Sequence, residues 1–84
     1  MAVVYLLNSG VSAGKDGGRL VVKKEGEAIA SVPLQKVEGL IIGRNAQVST
    51  QVLFTFMQSR TPVVYVDGRG RICGTLMDSR ESLK

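Results

Sequence analysis

Apolar residues fall in short runs separated by glycines and charges, and the spacing within each run separates strand from helix. Residues 3–7 (Val-Val-Tyr-Leu-Leu) are β-branched, aromatic and apolar, and they stop at Asn8-Ser9-Gly10, which predicts a strand ending in a loop. The glycines from Gly10 to Gly18 are too frequent for a helix, so the predicted loop continues through Gly18. Residues 19–24 and 27–32 read as two more strands. Glu25-Gly26 lies between them, where a glycine supplies the positive φ of a tight hairpin. Leu20 and Val22 share one face and Arg19 and Lys23 the other, so one side of this hairpin meets water.

The middle of the chain has a different rhythm. Leu40, Ile41 and Ile42 are consecutive, which predicts a strand over 37–42 covered on both faces. Ser49 is placed as a helix N-cap, and behind it Val52, Leu53, Phe56 and Met57 follow helical spacing along one face. Phe54 falls roughly a third of a turn off that stripe at about 100° per residue. The helix stops near Arg60, because Pro62 disfavours α conformation at Thr61. Residues 62–66 form a fully apolar strand. Strand, helix and strand in this order predict a parallel pair joined by a right-handed crossover. Asp67-Gly68-Arg69-Gly70 then turns the chain into a last strand over 71–76, and 77–84 is a polar tail. The predicted class is α+β and β-dominated, a small two-part, sandwich-like sheet with one strand-helix-strand crossover.

Composition narrows what such a domain can do. With 84 residues there is room for one domain, and one this small buries only about 60% of its unfolded-chain surface. The apolar share of 44% is globular, and part of that surface is expected to need cover from a second copy or a further domain. Eleven basic against seven acidic residues give +4, a balance that attracts polyanions and also simply aids solubility. Cys73 is the sole cysteine and histidine is absent. No intrachain disulfide can form, a cytoplasmic protein is the simplest reading, and zinc sites of Cys and His and any histidine base are excluded. No apolar run reaches the roughly 18 residues that span a bilayer, and the first residues lack the marks of a signal peptide, so no membrane is expected.

Three motifs bear on chemistry. The run from Gly10 to Asp16 is spaced somewhat like a phosphate-binding loop, but its glycines are one residue short and Asp16 stands where Ser or Thr would hold magnesium. Of the seven carboxylates, only Glu38 sits in an apolar strand, and no second carboxylate is spaced to make a metal pair with it. No catalytic or metal-binding residue is therefore assigned. Gly68-Arg69-Gly70-Arg71 is the sharpest basic feature. Its arginines could track phosphates, with glycines that let backbone amides approach, or the segment is a solvated turn. Tyr5, Phe56 and Tyr65 fit core positions and make no base-stacking platform.

Taken in order, these segments resemble one family. Arg19-Leu20-Val21-Val22, Val32-Pro33-Leu34, Val37 and Leu40-Ile41-Ile42 follow its strand pattern, with Gly43 and Asn45 after them. Val48-Ser49-Thr50-Gln51, Leu53, Pro62-Val63-Val64, Gly68-Arg69-Gly70-Arg71, Gly74 and Leu76 complete it. The set is similar to the N-terminal β-domain of the CRISPR adaptation integrase, the CRISPR-associated endonuclease Cas1, over roughly residues 3–76.

The resemblance implies a β-domain over 1–76, with 77–84 beginning a linker to a helical catalytic domain that is absent here and that the next stretch of the gene should encode. It implies a homodimer centred on paired β-domains and metal-dependent DNA integration and cleavage, with Mg or Mn, by the helical domain. A companion Cas2 protein would be met only through the full-length protein. The fragment itself would be a non-catalytic scaffold without a cofactor, lying along duplex DNA and touching it weakly. Arg69, Arg71 and the linker-proximal Arg80 are the DNA-binding candidates. Phe54, where the family usually carries a polar residue, is a candidate contact to the partner copy or the other domain; a slightly rotated helix would instead bury it. The alternative function is a free-standing small β-domain that binds nucleic acid directly, and a complete small enzyme lacks the acid–base groups it would need.

Overall fold

The computed structural model describes residues 2–78, which form two four-stranded sheets and one α-helix. The first sheet orders its strands β1 (Ala2–Leu6), β5 (Val37–Gly43), β7 (Val63–Val66) and β8 (Ile72–Leu76). Its first three strands are parallel, and β8 returns antiparallel along β7. The second sheet orders β4 (Glu27–Pro33), β3 (Arg19–Lys24), β2 (Val11–Asp16) and β6 (Gln47–Val48). A short 3-10 turn, Leu34–Lys36, leads from β4 back to β5. The helix α1 (Thr50–Gln58) joins β5 to β7, so the strand-helix-strand unit forms the expected parallel pair, with Leu40 opposite Val63 and Ile42 opposite Tyr65. The class is α+β and β-dominated, as the apolar pattern predicts.

The segment expected to be a loop from Gly10 to Gly18 is mostly strand. β2 pairs with β3 along its whole length, Gly14 facing Val21, and only Gly17-Gly18 make the turn. Val11 and Ala13 alternate inward and are buried, while Ser12 and Gly14 take the other face. Strand formation here rests on cross-strand packing of two apolar positions, which outweighs the low strand preference of glycine. The hairpin at Glu25-Gly26 is present, both residues having positive φ.

Both ends of α1 are capped. Val52 N–H donates to Ser49 Oγ at 3.3 Å, the N-cap expected from sequence. At the other end Arg60 takes a left-handed φ of 60°, Arg60 N–H donates to the Met57 carbonyl and Thr61 N–H to the Phe56 carbonyl. That pair of bonds closes the last turn before Pro62 can disturb it.

One core serves both sheets and the helix. Leu6, Leu40, Ile42 and Val63 face Val11, Ala13, Leu20 and Val22, with Val52 and Phe56 of α1 filling the space between. Leu53 and Tyr65 pack on its margin. The other face of the first sheet does not join this core. Cross-strand register sets Tyr5, Ile41, Val64 and Thr75 in one row, and Val66 beside Ile72 in the next. Tyr5 is 64% exposed and Ile72 70%. Tyr5 is thus not the core residue that its apolar neighbours suggest. Alternation along β1 turns Val4 and Leu6 inward and sends Val3, Tyr5 and the following Leu7 out. The apolar runs of β5 and β7 also predict two covered faces; among the described residues the core covers one, and on the other Ile41 and Val64 are half-buried.

Candidate nucleic-acid interface

The basic turn between β7 and β8 is built around one carboxylate. Asp67 Oδ1 accepts from the Arg69 N–H at 2.8 Å and the Arg71 N–H at 3.0 Å. Gly70 N–H donates to the Asp67 carbonyl at 3.0 Å, and Asp67 N–H to the Arg71 carbonyl at 2.9 Å. Gly70 has φ +79°, a left-handed conformation that glycine adopts readily and that closes this short loop. A stiff turn results, with Arg69 and Arg71 both exposed.

This geometry corrects one expectation. The amides of Arg69, Gly70 and Arg71 are spent inside the turn, so they cannot also cradle a phosphate. Only the two guanidinium groups remain to meet an anion, each a fork of donors that never loses its charge. Arg80 lies outside the described residues. Phe54 is 56% exposed on the solvent side of α1, as its off-stripe position requires, and the helix is not rotated to bury it.

The sequence reading missed Arg44. It follows β5 directly, and a hollow of about 180 Å3 gathers Arg44 and Asn45 with Leu7, Asp67, Gly68 and Gly70. The carboxyl ends of β1, β5 and β7 all come to this end of the sheet, the usual place for polar groups that meet a ligand in parallel sheets. The signal was available in principle: Arg44 occupies after β5 the place that Asp67 occupies after β7. Close packing fixes it there. A Cβ on Gly43 would stand 3.2 Å from the Leu6 carbonyl oxygen and from Leu7 Cα, so only glycine lets β5 leave the sheet this near to β1.

Other basic groups are differently placed. Arg19 is held across the hairpin, its Nε donating to Ser31 Oγ at 2.7 Å and its Nη2 to the Ser31 carbonyl at 3.2 Å. Lys15 Nζ donates to Thr55 Oγ1 of α1 at 3.3 Å. Glu38 is exposed, and among the described residues no three His, Cys, Asp or Glu side chains converge to hold a metal ion. No helix among the described residues is long and apolar enough to cross a membrane.

Comparison with known proteins gives this geometry a setting. The family described as "CRISPR associated protein Cas1" matches residues 4–84. The CRISPR-associated endonuclease Cas1 4 of Methanospirillum hungatei JF-1 is 31% identical over 81 residues, which are 95% of this chain and 23% of that protein. A Cas1 protein from Thermotoga maritima superposes with a TM-score of 0.73 at 21% identity, over 92% of this chain and 24% of that one. A chain of a partial Cas6-RT-Cas1–Cas2 complex superposes with a TM-score of 0.83 at 17% identity, over 92% of this chain and 23% of that one. At such identities the superpositions speak for the fold. The chain spans about a quarter of the length of these relatives.

Proposed function

The chain belongs to the Cas1 family, and from that membership we propose that it is the β-domain of a CRISPR adaptation integrase, a scaffold that pairs with a second copy and runs along duplex DNA. The observation that carries this reading is the alignment of 95% of the chain with 23% of a Cas1 endonuclease. Residues 1–76 are the domain in this proposal, and 77–84 begin the connection to a helical catalytic domain.

The carboxylates and the cysteine here do not fit a divalent metal site, since none cluster in threes among the described residues. In this proposal, resting on the family membership, the Mg- or Mn-dependent endonuclease and integrase chemistry of spacer acquisition and antiviral defence belongs to the rest of a longer protein, and this domain is a non-catalytic scaffold. Contact with a Cas2 protein likewise belongs to the full-length protein, a reading supported by the similar fold found within a Cas6-RT-Cas1–Cas2 complex. Arg69 and Arg71 are proposed to meet phosphates through their side chains, with Arg44 at the same end of the sheet and Arg80 as a further candidate. Phe54 is proposed as a contact to the partner copy or to the remaining domain. A cytoplasmic location suits a DNA partner.

The test has two parts. Sedimentation at about 100 µM should show a homodimer, as a pair burying roughly 1,200 Å2 or more would. Duplex DNA should bind weakly, with a Kd above about 10 µM at physiological salt, and remain uncut with Mg or Mn. A monomer that binds duplex DNA tightly would replace this reading with a free-standing nucleic-acid-binding domain.

A further inference from the structure

The hollow at the carboxyl ends of the parallel strands mixes groups that contact with phosphates alone does not explain. Leu7, Arg44, Asn45, Asp67, Gly68 and Gly70 line it, and it encloses about 180 Å3. Register sets Gly43 opposite Val66, so Arg44 and Asp67 leave neighbouring strands side by side, near the usual strand spacing of about 4.8 Å. Opposite charges this close ordinarily pair. Among the described residues these two do not, and neither has another ion-pair partner. Asp67 spends Oδ1 on the Arg69 and Arg71 amides, which leaves Oδ2 as an open acceptor beside an open guanidinium. Leu7, 54% exposed, supplies an apolar wall. A Cβ on Gly68 or Gly70 would meet open space, so the main chain there is bare to a flat ring.

We propose that this hollow takes one unpaired guanine base. The inference rests on the reading in which this end of the sheet meets DNA, and it names what the hollow itself receives. A phosphate is attracted by Arg44 but opposed by the Asp67 carboxylate, so the hollow suits a ligand that both accepts and donates. Guanine does so along one edge: O6 and N7 accept from an arginine fork, and next to them N1–H and N2–H donate to a carboxylate. Arg44 and Asp67, side by side, match those side-by-side groups. Adenine carries an amino donor where guanine has O6 and an acceptor where guanine has N1–H, so it loses both contacts. Size also selects a single base. The volume is below the roughly 300–1,000 Å3 of pockets for drug-sized ligands, so one ring system enters. Sugar and phosphates stay outside, where Arg69 and Arg71 stand exposed on the same turn. In a duplex the N1–H and N2–H of guanine are already bonded to cytosine, so the base that enters is unpaired.

Fluorescence anisotropy with labelled single strands tests the proposal on the 84-residue chain. A thymine decamer with one central guanine should bind about 10-fold or more tighter than thymine alone, the discrimination that one bidentate contact supplies. On the unaltered protein, 1-methylguanine blocks the carboxylate contact and 7-deazaguanine removes an acceptor from the arginine. Each should cut that gain about three-fold or more, a result that does not depend on how any variant folds. Arg44→Gln and Asp67→Asn should abolish the preference. Asparagine keeps an oxygen for the two amides of the turn, and thermal melting checks that both variants fold. Arg69→Ala/Arg71→Ala should weaken both strands alike and leave their ratio unchanged. Equal, salt-sensitive affinity of the wild type for the two strands would overturn the base site and keep the phosphate contact, whereas no binding to single strands or duplex would overturn both. An equal gain from adenine would overturn the assignment to guanine. A preference that persists in Arg44→Gln and Asp67→Asn would overturn the hollow as its seat.

Discussion

Removing the arginines of the β7–β8 turn has an effect that can be computed. Each phosphate neutralised on duplex DNA contributes about −0.9 to the slope of log affinity against log salt. If Arg44, Arg69 and Arg71 each meet one phosphate, the slope is about −2.7, and a rise from about 50 to 200 mM salt weakens binding about 40-fold. Replacing Arg69 and Arg71 with Ala leaves a slope of about −0.9 and only a roughly three- to four-fold loss over the same range. Adding Arg44→Ala should flatten the dependence altogether. The turn survives these changes because Asp67 holds it through the main-chain amides of residues 69 and 71, which alanine retains. Melting should therefore move by less than about 0.5 kcal/mol. Fluorescence anisotropy of a labelled duplex at several salt concentrations reads the slope directly. An unchanged affinity and slope in the double variant would remove this end of the sheet from the DNA path. Loss of slope in Arg19→Ala, whose guanidinium is tied to Ser31, would move that path to the second sheet.

Three further outcomes test the fold. Gly43→Ala forces a Cβ to 3.2 Å from the β1 backbone and should cost about 1–3 kcal/mol, read as a lowered Tm; an unmoved Tm would refute the close approach. Leu40→Ala, at a fully buried position in the central strand, should cost about 2–5 kcal/mol by urea unfolding, and Leu53→Ala, on the margin of the core, less than about 2. Equal costs would contradict the placement of the two. Ser49→Ala removes the cap on Val52 N–H and should cost about 1 kcal/mol, and Ser49→Asp should keep most of it.

The parts of the fold legible in the sequence are those where one local signal has no competitor. Ser49 followed by Val52 and Phe56 admits little but a capped helix, and Pro62 after Arg60 admits little but its end. Glu25-Gly26 between two apolar runs could hardly be other than a hairpin. β2 is hidden because its two inward residues, Val11 and Ala13, are separated by a serine and followed by a glycine. Its strand character comes from β3, whose Leu20 and Val22 need those partners, and pairing of that kind is invisible to local spacing. Tyr5 misleads for the opposite reason. Its run is apolar on both faces, and nothing within the run says which face the core will take. The consecutive Leu40, Ile41 and Ile42 do want cover on two sides, and among the described residues the core supplies one.

The candidate site divides in the same way. Arg69 and Arg71 are near neighbours in sequence and are visible there; Arg44 is 25 positions away from Arg69 and joins them only through the parallel register of β5 and β7. That register also explains why charge and bare apolar surface are segregated. Parallel strands all end on the same side, so the arginines that follow β5 and β7 gather at one end of the sheet and leave its face uncharged.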